Sequence, residues 1–127
     1  LKKFLFEMDC MDKSFKAPSK LLNLIPLQYH KYFWRGYIDA DGCFYKRKSK
    51  RGGTFSISSS LDQDWLEAET WLKSLGVNNF SIFRKETKSG NSSVIEVKYG
   101  PEIKKIGHFI YGDLFDGIGL KRKFNII

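Results

Sequence analysis

The sequence predicts an α+β fold in which helices cover one face of a four-stranded antiparallel sheet. The first observation is a change in the spacing of the apolar residues. Helical spacing is followed by alternation, this pair of patterns occurs twice, and helical spacing then returns. The second is the turn chemistry, because glycine-containing turns separate the alternating segments in pairs. The predicted order is therefore helix, hairpin, helix, hairpin, helix, and the two hairpins are expected to share one sheet.

The chain is divided into an N-terminal extension, residues 1–25, and a single domain, residues 26–127. A length of 127 residues leaves room for one proper core. Within the extension, residues 1–8 are predicted to form a short helix. Residues 12–20, with Pro18 among mixed polar side chains, are predicted to form a loop.

The first helix of the domain is predicted from Leu27 to about Asp39. Pro26 lies where a proline favours helix initiation, and Gly42 offers the left-handed conformation that often ends a helix. Helical spacing separates an outward side from a core side. The outward side holds Tyr29, Phe33, Gly36 and Ala40, and the core side holds Trp34, Ile38 and the aliphatic stem of Arg35.

Two segments after Gly42 alternate apolar and polar residues with a period of two. Residues 43–48 form the first predicted strand and residues 54–60 form its partner across a Gly-Gly turn. The helix that follows is predicted to start with Asp62 as its N-cap and to end at Gly76. Its tryptophan and leucine residues recur at helical spacing, so one side of it should face the core.

The remainder of the chain repeats this arrangement. Residues 79–86 and 92–99 form the second predicted hairpin, and Pro101 opens a helix with an isoleucine-rich face. Residues 113–119 are predicted to be a turn and residues 120–124 a short basic helix. The two hairpins thus supply four strands.

A formal net charge of +8 and a sequence pI of about 9.5 indicate a polyanionic partner, either nucleic acid or an anionic membrane surface. No run of 18 apolar residues exists, so no segment is expected to span a membrane, and a membrane is not among the predicted partners. Cys10 and Cys43 are too few for a disulfide framework or a zinc site. An intracellular location is predicted, in a bacterial cytoplasm or an organelle matrix. His30 and His108 are interpreted as surface or packing residues.

The end of the first helix presents an electrostatic problem. Asp39 and Asp41 lie at the C-terminal end, where the partial negative charge of a helix disfavours carboxylates. A hard divalent cation is the simplest compensating partner. Gly36 and Ala40 lie on one face at a spacing of four, so this face could closely approach a second copy of itself. Two such helices would bring their carboxylates side by side.

Residues 36–42, Gly-Tyr-Ile-Asp-Ala-Asp-Gly, resemble the second part of the LAGLIDADG motif, with Trp34 and Arg35 in its first two places. Over roughly residues 26–126, the element order also resembles the family's αββαββα homing-endonuclease-like fold with its saddle-shaped sheet. The resemblance implies a site-specific double-stranded DNA homing endonuclease, active in intron homing, that hydrolyses phosphodiester bonds with a divalent metal.

One motif per chain predicts a homodimer acting on a long, near-palindromic site, because double-strand cleavage needs two acidic helix ends. The predicted dimer interface consists of Phe33, Gly36, Tyr37 and Ala40.

The resemblance also implies individual roles near the acidic helix end. Asp41 and the carbonyl of Ala40 would hold Mg²⁺, with Mn²⁺ or Ca²⁺ as substitutes in binding. Lys123 corresponds to the active-site lysine of the family, and Lys121 is the near alternative. For Asp39 a structural role is favoured, such as capping backbone amides near the helix crossing.

The uncovered face of the sheet is predicted to bind DNA. A seven-residue strand is roughly 23 Å long and could follow about seven base pairs of a groove. The predicted contacts are Lys46, Arg47, Lys48, Lys50, Arg51, Ser56, Ser58, Ser81, Lys85 and Lys98, with Glu96 on the same face. The first strand leaves two outward sets open, either Phe44, Lys46 and Lys48 or Tyr45 and Arg47.

Other interpretations of the motif remain open at the level of sequence. The first is a non-cutting relative, either a maturase that binds intron RNA or a DNA-binding regulator. The second is one half of a two-repeat endonuclease, because residues 1–30 resemble the approach to a second repeat. The third is a basic protein whose motif match is accidental.

Overall fold

The helices and hairpins of the domain follow one another in the predicted order. The computed structural model describes residues 2–8, 16–46 and 53–112. The elements are α1 (Lys2–Glu7), α2 (Ser19–Leu24), a 3-10 turn (Leu27–Tyr29), α3 (His30–Asp41), β1 (Gly42–Lys46), β2 (Gly53–Ser59), α4 (Leu66–Ser74), β3 (Phe80–Thr87), β4 (Gly90–Val97) and α5 (Gly100–Tyr111). From α3 onward the order is αββαββα, which confirms the predicted fold class. Lys121, Lys123 and the predicted segments 113–119 and 120–124 lie outside the described residues.

The four strands form one antiparallel sheet in the order β1-β2-β4-β3. Strand alternation sends Phe55, Ile57 and Ile95 to one face, where each is fully buried. Helices α3, α4 and α5 pack on this face, and they contribute Ile38, Leu72, Ile106 and Ile110 to the same core. The opposite face carries no described helix. None of the helices within the described ranges is long and apolar enough to pass through a membrane.

Two stacked tryptophans join α3 to α4 in this core. The rings of Trp34 and Trp71 lie 4.5 Å apart with 9° between their planes, and Trp34 is 2% exposed. Buried aromatic rings contribute a large apolar area and prefer offset stacking or edge contacts. A tryptophan in the first place of the motif therefore fills the space between two helices.

The N-terminal extension contains a second helix that is not among the predicted elements, and only its first two residues fall in the segment 12–20 predicted to be a loop. Helix α2 starts at Ser19, and its Leu22 is buried in the core of the domain. The C-terminal end of α2 is bound by His30 of α3. His30 Nε2 lies 3.0 Å from the Leu22 carbonyl oxygen and 2.9 Å from that of Ile25, and this nitrogen donates because both partners are acceptors. Because these contacts are tertiary, local sequence could not reveal the helix. The same contacts agree with the interpretation of His30 as a packing residue.

Helix α3 starts later and ends differently from the prediction. A 3-10 turn occupies Leu27–Tyr29, and the α-helix then continues as far as Asp41. The predicted left-handed conformation of Gly42 is wrong: its φ is −91° and its ψ is 159°, so the chain enters β1 in an extended conformation. Glycine is required here for space, since a Cβ at Gly42 would lie 2.7 Å from the Ile38 carbonyl oxygen.

The predicted cap of α4 is also wrong. The helix begins at Leu66 and its N-cap residue is Trp65, which makes no side-chain cap, while the Leu66 backbone N–H donates to Asp64 Oδ1 at 2.9 Å. The reason is that Trp65 is drawn into the core before the helix begins, with Nε1 donating to Ser93 Oγ at 3.0 Å. Gly76, at φ +80°, ends this region in the left-handed conformation as predicted.

Replacing Gly42 with alanine should destabilise the fold by about 1–3 kcal/mol, because the new methyl group meets the backbone of Ile38 rather than a side chain that can turn aside. Urea unfolding followed by circular dichroism measures this loss. Gly100→Ala is the matched control, because a Cβ there would have no described atom within 4 Å. Equal unfolding midpoints for the two variants would contradict the steric explanation.

Candidate functional site

The candidate site is built on α3, and a buried arginine attaches this helix to α5. Arg35 is 2% exposed, and its Nε donates to the Ile110 carbonyl oxygen at 2.7 Å. A terminal guanidinium nitrogen donates to the same oxygen. Carbonyls in the last turn of a helix have no partner within the helix, and a cation is favourable at that end. Arg35 therefore stabilises the end of α5 while fixing α3 beside it.

A second contact between the two helices uses Asp39. The Tyr111 hydroxyl donates to Asp39 Oδ1 at 2.5 Å. Burial, and next the hydrogen bond and charge of Asp39, raise the pKa of Tyr111, while the Arg35 charge lowers it in part. The Arg35 guanidinium carbon also lies 5.4 Å from the centre of the Tyr111 ring. Asp39 thus has the structural kind of role that the motif predicts, with a phenol of α5 as a partner.

Asp41 occupies a different environment from Asp39, although the two are only two residues apart. Its side chain is exposed at the last position of α3, and Ala40 beside it is exposed as well. The pKa of Tyr37 is raised by burial and then by the Asp41 charge, so the carboxylate acts electrostatically on the outward side of α3. An exposed carboxylate at the negative end of a helix is available to a cation.

The donor chemistry at this helix end fits a magnesium ion. Mg²⁺ prefers oxygen ligands and is usually held by one or two carboxylates plus substrate phosphates and water. Asp41 supplies one carboxylate, and the Ala40 carbonyl is the second predicted ligand. Across residues 2–8, 16–46 and 53–112, no three His, Cys, Asp or Glu side chains group as a ligand set.

The outward side of α3 is open to a partner. A Cβ at Gly36 would have no described atom within 4 Å, and Ala40 is exposed. Phe33 and Tyr37 are half-buried, with ring centres 6.2 Å apart. Gly36 and Ala40 are thus exposed on this side of α3, whereas Phe33 and Tyr37 also pack against the core.

The outer face of the sheet carries the polar side chains of the strands. In β1, Phe44 is buried and Tyr45 is 60% exposed, which decides between the two predicted sets in favour of the one containing Tyr45. The other members of the two sets, Lys46, Arg47 and Lys48, have side chains outside the described part, as do Lys50 and Arg51.

Strand register places the remaining predicted contacts together on this face. Ser56 pairs with Glu96, which pairs with Ser81, and Lys85 pairs with Ser92. Ser58 pairs with Val94 one row further along. Lys98 Nζ lies 3.2 Å from Glu96 Oε1, so the one acidic group named for this face is paired with a cation. These are polar groups of the kind that contact phosphates and base edges.

Two apolar residues on this face were not predicted. Phe83 is 42% exposed and pairs with the half-buried Val94. The signal was present in the sequence, because alternation along β3 puts Phe83 on the same face as Ser81 and Lys85.

The geometry defines a class of protein: an α+β domain with an exposed carboxylate at the end of a core helix and a polar, uncovered sheet face. Residues 28–105, more than half of the chain, match the LAGLIDADG-like domain family. The chain belongs to this family. No curated protein sequence matches it.

One similar solved structure is the homing endonuclease I-CvuI in complex with the I-CreI target in the presence of 2 mM Mg, with the DNA not cleaved. The identity is 18% and the TM-score is 0.46. The match covers 68% of this chain and 57% of that chain, so the chain spans little more than half the length of that endonuclease.

Substituting Tyr111 with phenylalanine should cost about 1–2 kcal/mol of stability at pH 8, because it removes the hydrogen bond to Asp39. The folded-state pKa of Tyr111 is raised above its ordinary value of 10.0. The stabilisation by the Tyr111 hydroxyl is therefore complete below about pH 10 and decreases as the pH rises above it. The difference in unfolding free energy between the wild type and Tyr111→Phe should therefore be smaller at pH 11 than at pH 8.

Urea unfolding at pH 8 and pH 11 measures this difference, and absorbance at 295 nm counts the phenols that ionise late. Tyr99→Phe serves as the control, because Tyr99 is 55% exposed. Equal stability losses for the two variants would show that Tyr111 does not join the helices as described.

Proposed function

We propose that the protein is a site-specific endonuclease that binds double-stranded DNA on the outer face of its sheet and hydrolyses a phosphodiester bond beside Asp41. One observation carries the proposal: Asp41 is exposed at the end of a helix whose other acid, Asp39, is engaged within the fold. Family membership supports the same conclusion. Homing to an intron target is the biological setting that the family suggests.

In this proposal Asp41 and the Ala40 carbonyl hold Mg²⁺, which Mn²⁺ or Ca²⁺ replace in binding. A bound divalent ion supplies charge stabilisation and lowers the pKa of a coordinated water. Helix α3 and strand β1 follow one another without a loop, so the helix end has a fixed position at the edge of the sheet. Lys123, or Lys121 as its near alternative, is proposed to stabilise charge at the same centre.

The proposed DNA contacts are of two kinds: side chains that bind phosphates and so position the DNA, and side chains that contact base edges. Lys85 and Lys98, together with Arg47 of the β1 set that contains Tyr45 and the turn residues Lys50 and Arg51, are proposed to contact phosphates. Ser56, Ser58 and Ser81 lie in the rows between them and offer hydroxyl groups to base edges or bridging waters.

Cleavage of both strands is proposed to require two chains. Each chain has one copy of the motif, at residues 34–42, and the open side of α3 presents Gly36 and Ala40, whose small side chains allow two helix backbones to approach closely. A homodimer built on this side, with Phe33 and Tyr37 around the contact, would place two Asp41 carboxylates near one another. It would read a long, near-palindromic site.

Asp41→Asn should abolish cutting while leaving DNA binding intact. Sites are first selected from a randomised duplex library in Ca²⁺, and cleavage is then measured in Mg²⁺ and in EDTA. We expect a loss of at least about 100-fold, because the neutral amide is a poor magnesium ligand. Asp62→Asn is the matched control, since Asp62 is exposed in the loop before α4.

Two results of this experiment would contradict the proposed endonuclease. One is cutting that persists in Asp41→Asn. The other is binding to intron RNA with no nicking of any selected duplex, the behaviour of a maturase.

Gly36→Leu should prevent dimer formation without harming the fold of a single chain. A Cβ at Gly36 would have no described atom within 4 Å, so the substitution adds bulk on the exposed side of α3, where the second copy is proposed to pack. Sedimentation of the protein with the selected DNA should show that two chains associate at least about tenfold more weakly than two wild-type chains do. Lys104→Leu, which adds the same side chain at an exposed position of α5, is the control. A dimer that survives Gly36→Leu would place the interface elsewhere.

A further inference from the structure

The outer face of the sheet contains a pair of adjacent apolar side chains. Phe83 on β3 and Val94 on β4 are register partners, so they lie side by side. Phe80 and Ile82 of the same strand pack against the core, whereas Phe83 is 42% exposed on the other side. The fold of this chain thus leaves part of its ring in water.

Polar groups surround this pair on the outer face. Ser81 and Lys85 flank Phe83 along β3, and Ser58 pairs with Val94 from the other side. On the described part of this face, Phe83 and Val94 form a small apolar pair among serines and lysines, which differs from the contiguous apolar surface of a typical obligate protein interface. It suits a partner that is polar and anionic but offers small apolar groups at defined positions.

We propose that Phe83 and Val94 read the C5-methyl group of thymine in the major groove of the target DNA. This inference rests on the proposed DNA-binding function and adds a specificity determinant to it. The thymine methyl is an apolar group on the base edges of the major groove, and phenylalanine is among the side chains that contact it. Burial of that methyl against the pair distinguishes thymine from cytosine and from uracil.

The charges near the pair favour DNA as the occupant. Lys85 lies two residues from Phe83 on the same face, and Lys98 neutralises Glu96, the nearby carboxylate that would repel phosphates. The whole chain carries a net charge of +8. Phosphate contacts from lysines set the position of a protein on DNA and bring neighbouring side chains to the base edges.

The geometry of β3 limits how many base pairs the apolar pair can read. A strand rises about 3.4 Å per residue, so Ser81 and Lys85 are about 14 Å apart, or roughly four base-pair steps. Phe83 lies midway between them. The methyl readout is therefore confined to one or two base pairs in each half of the site.

Uracil substitution tests this inference because uracil lacks the methyl group and keeps the hydrogen-bonding edge of thymine. Each thymine of a duplex selected from a randomised library is replaced singly by uracil, and binding is measured in Ca²⁺. We expect about a fourfold loss of affinity at one or two positions per half-site, the value for removing one methyl group from burial. The other thymines should tolerate uracil.

The penalty at those positions should vanish in Phe83→Thr, which keeps a strand-forming side chain, and should shrink in Val94→Thr, which is nearly isosteric. Circular dichroism verifies that the variants fold, and Val94→Thr provides the test if Phe83→Thr does not. Leu66→Ser is the control, because Leu66 is 57% exposed on α4, which packs on the opposite face of the sheet, and the penalty should persist there.

Three results would overturn the inference. A wild-type protein that binds its selected DNA but tolerates uracil everywhere refutes the methyl readout and leaves the endonuclease proposal standing. If uracil lowers the affinity at particular positions by the same factor in Phe83→Thr, in Val94→Thr and in the wild type, other residues contact the thymine methyl. Failure to select any duplex removes the inference together with the proposed function.

Discussion

The attachment of α3 to α5 is the constraint on which the rest of the arrangement depends. The buried guanidinium of Arg35 binds the carbonyl of Ile110, and the hydroxyl of Tyr111 binds Asp39 one turn later along α3. A buried charge is costly unless it is hydrogen-bonded, so α3 has a strongly preferred position on α5. Gly42 then takes the chain directly from α3 into the sheet. The acidic end of α3 is consequently carried by rigid elements.

Two acids of the same motif have separate tasks because their surroundings differ. Asp39 faces α5, where a phenol donates to it, whereas Asp41 is exposed beyond the helix contact. A site held by helices and strands is positioned more accurately than one on a loop. The fold therefore uses one carboxylate to hold the helix and leaves the other exposed; in the proposed function this exposed carboxylate holds a divalent ion for phosphodiester hydrolysis.

Sequence reasoning predicted the element order, the two sides of α3 and the polar face of the sheet, because each follows from a local period. It missed whatever depends on distant partners. Arg35 donates to a carbonyl 75 positions away, and α2 packs into the domain core through Leu22. The parity of β1 was undecidable because both sets contained basic residues, and burial of Phe44 settled it. Phe83 was overlooked because an exposed aromatic residue in a strand resembles an ordinary core residue.

The most direct test of the central claim locates the divalent ion on the protein itself. Fe²⁺ replaces Mg²⁺ in the complex with selected DNA, ascorbate and peroxide generate hydroxyl radicals at the metal, and mass spectrometry maps the backbone breaks. The account predicts fragment ends between positions 38 and 44 that excess Mg²⁺ suppresses. Breaks clustered elsewhere, for example around Glu67 and Glu69 in α4, would contradict it.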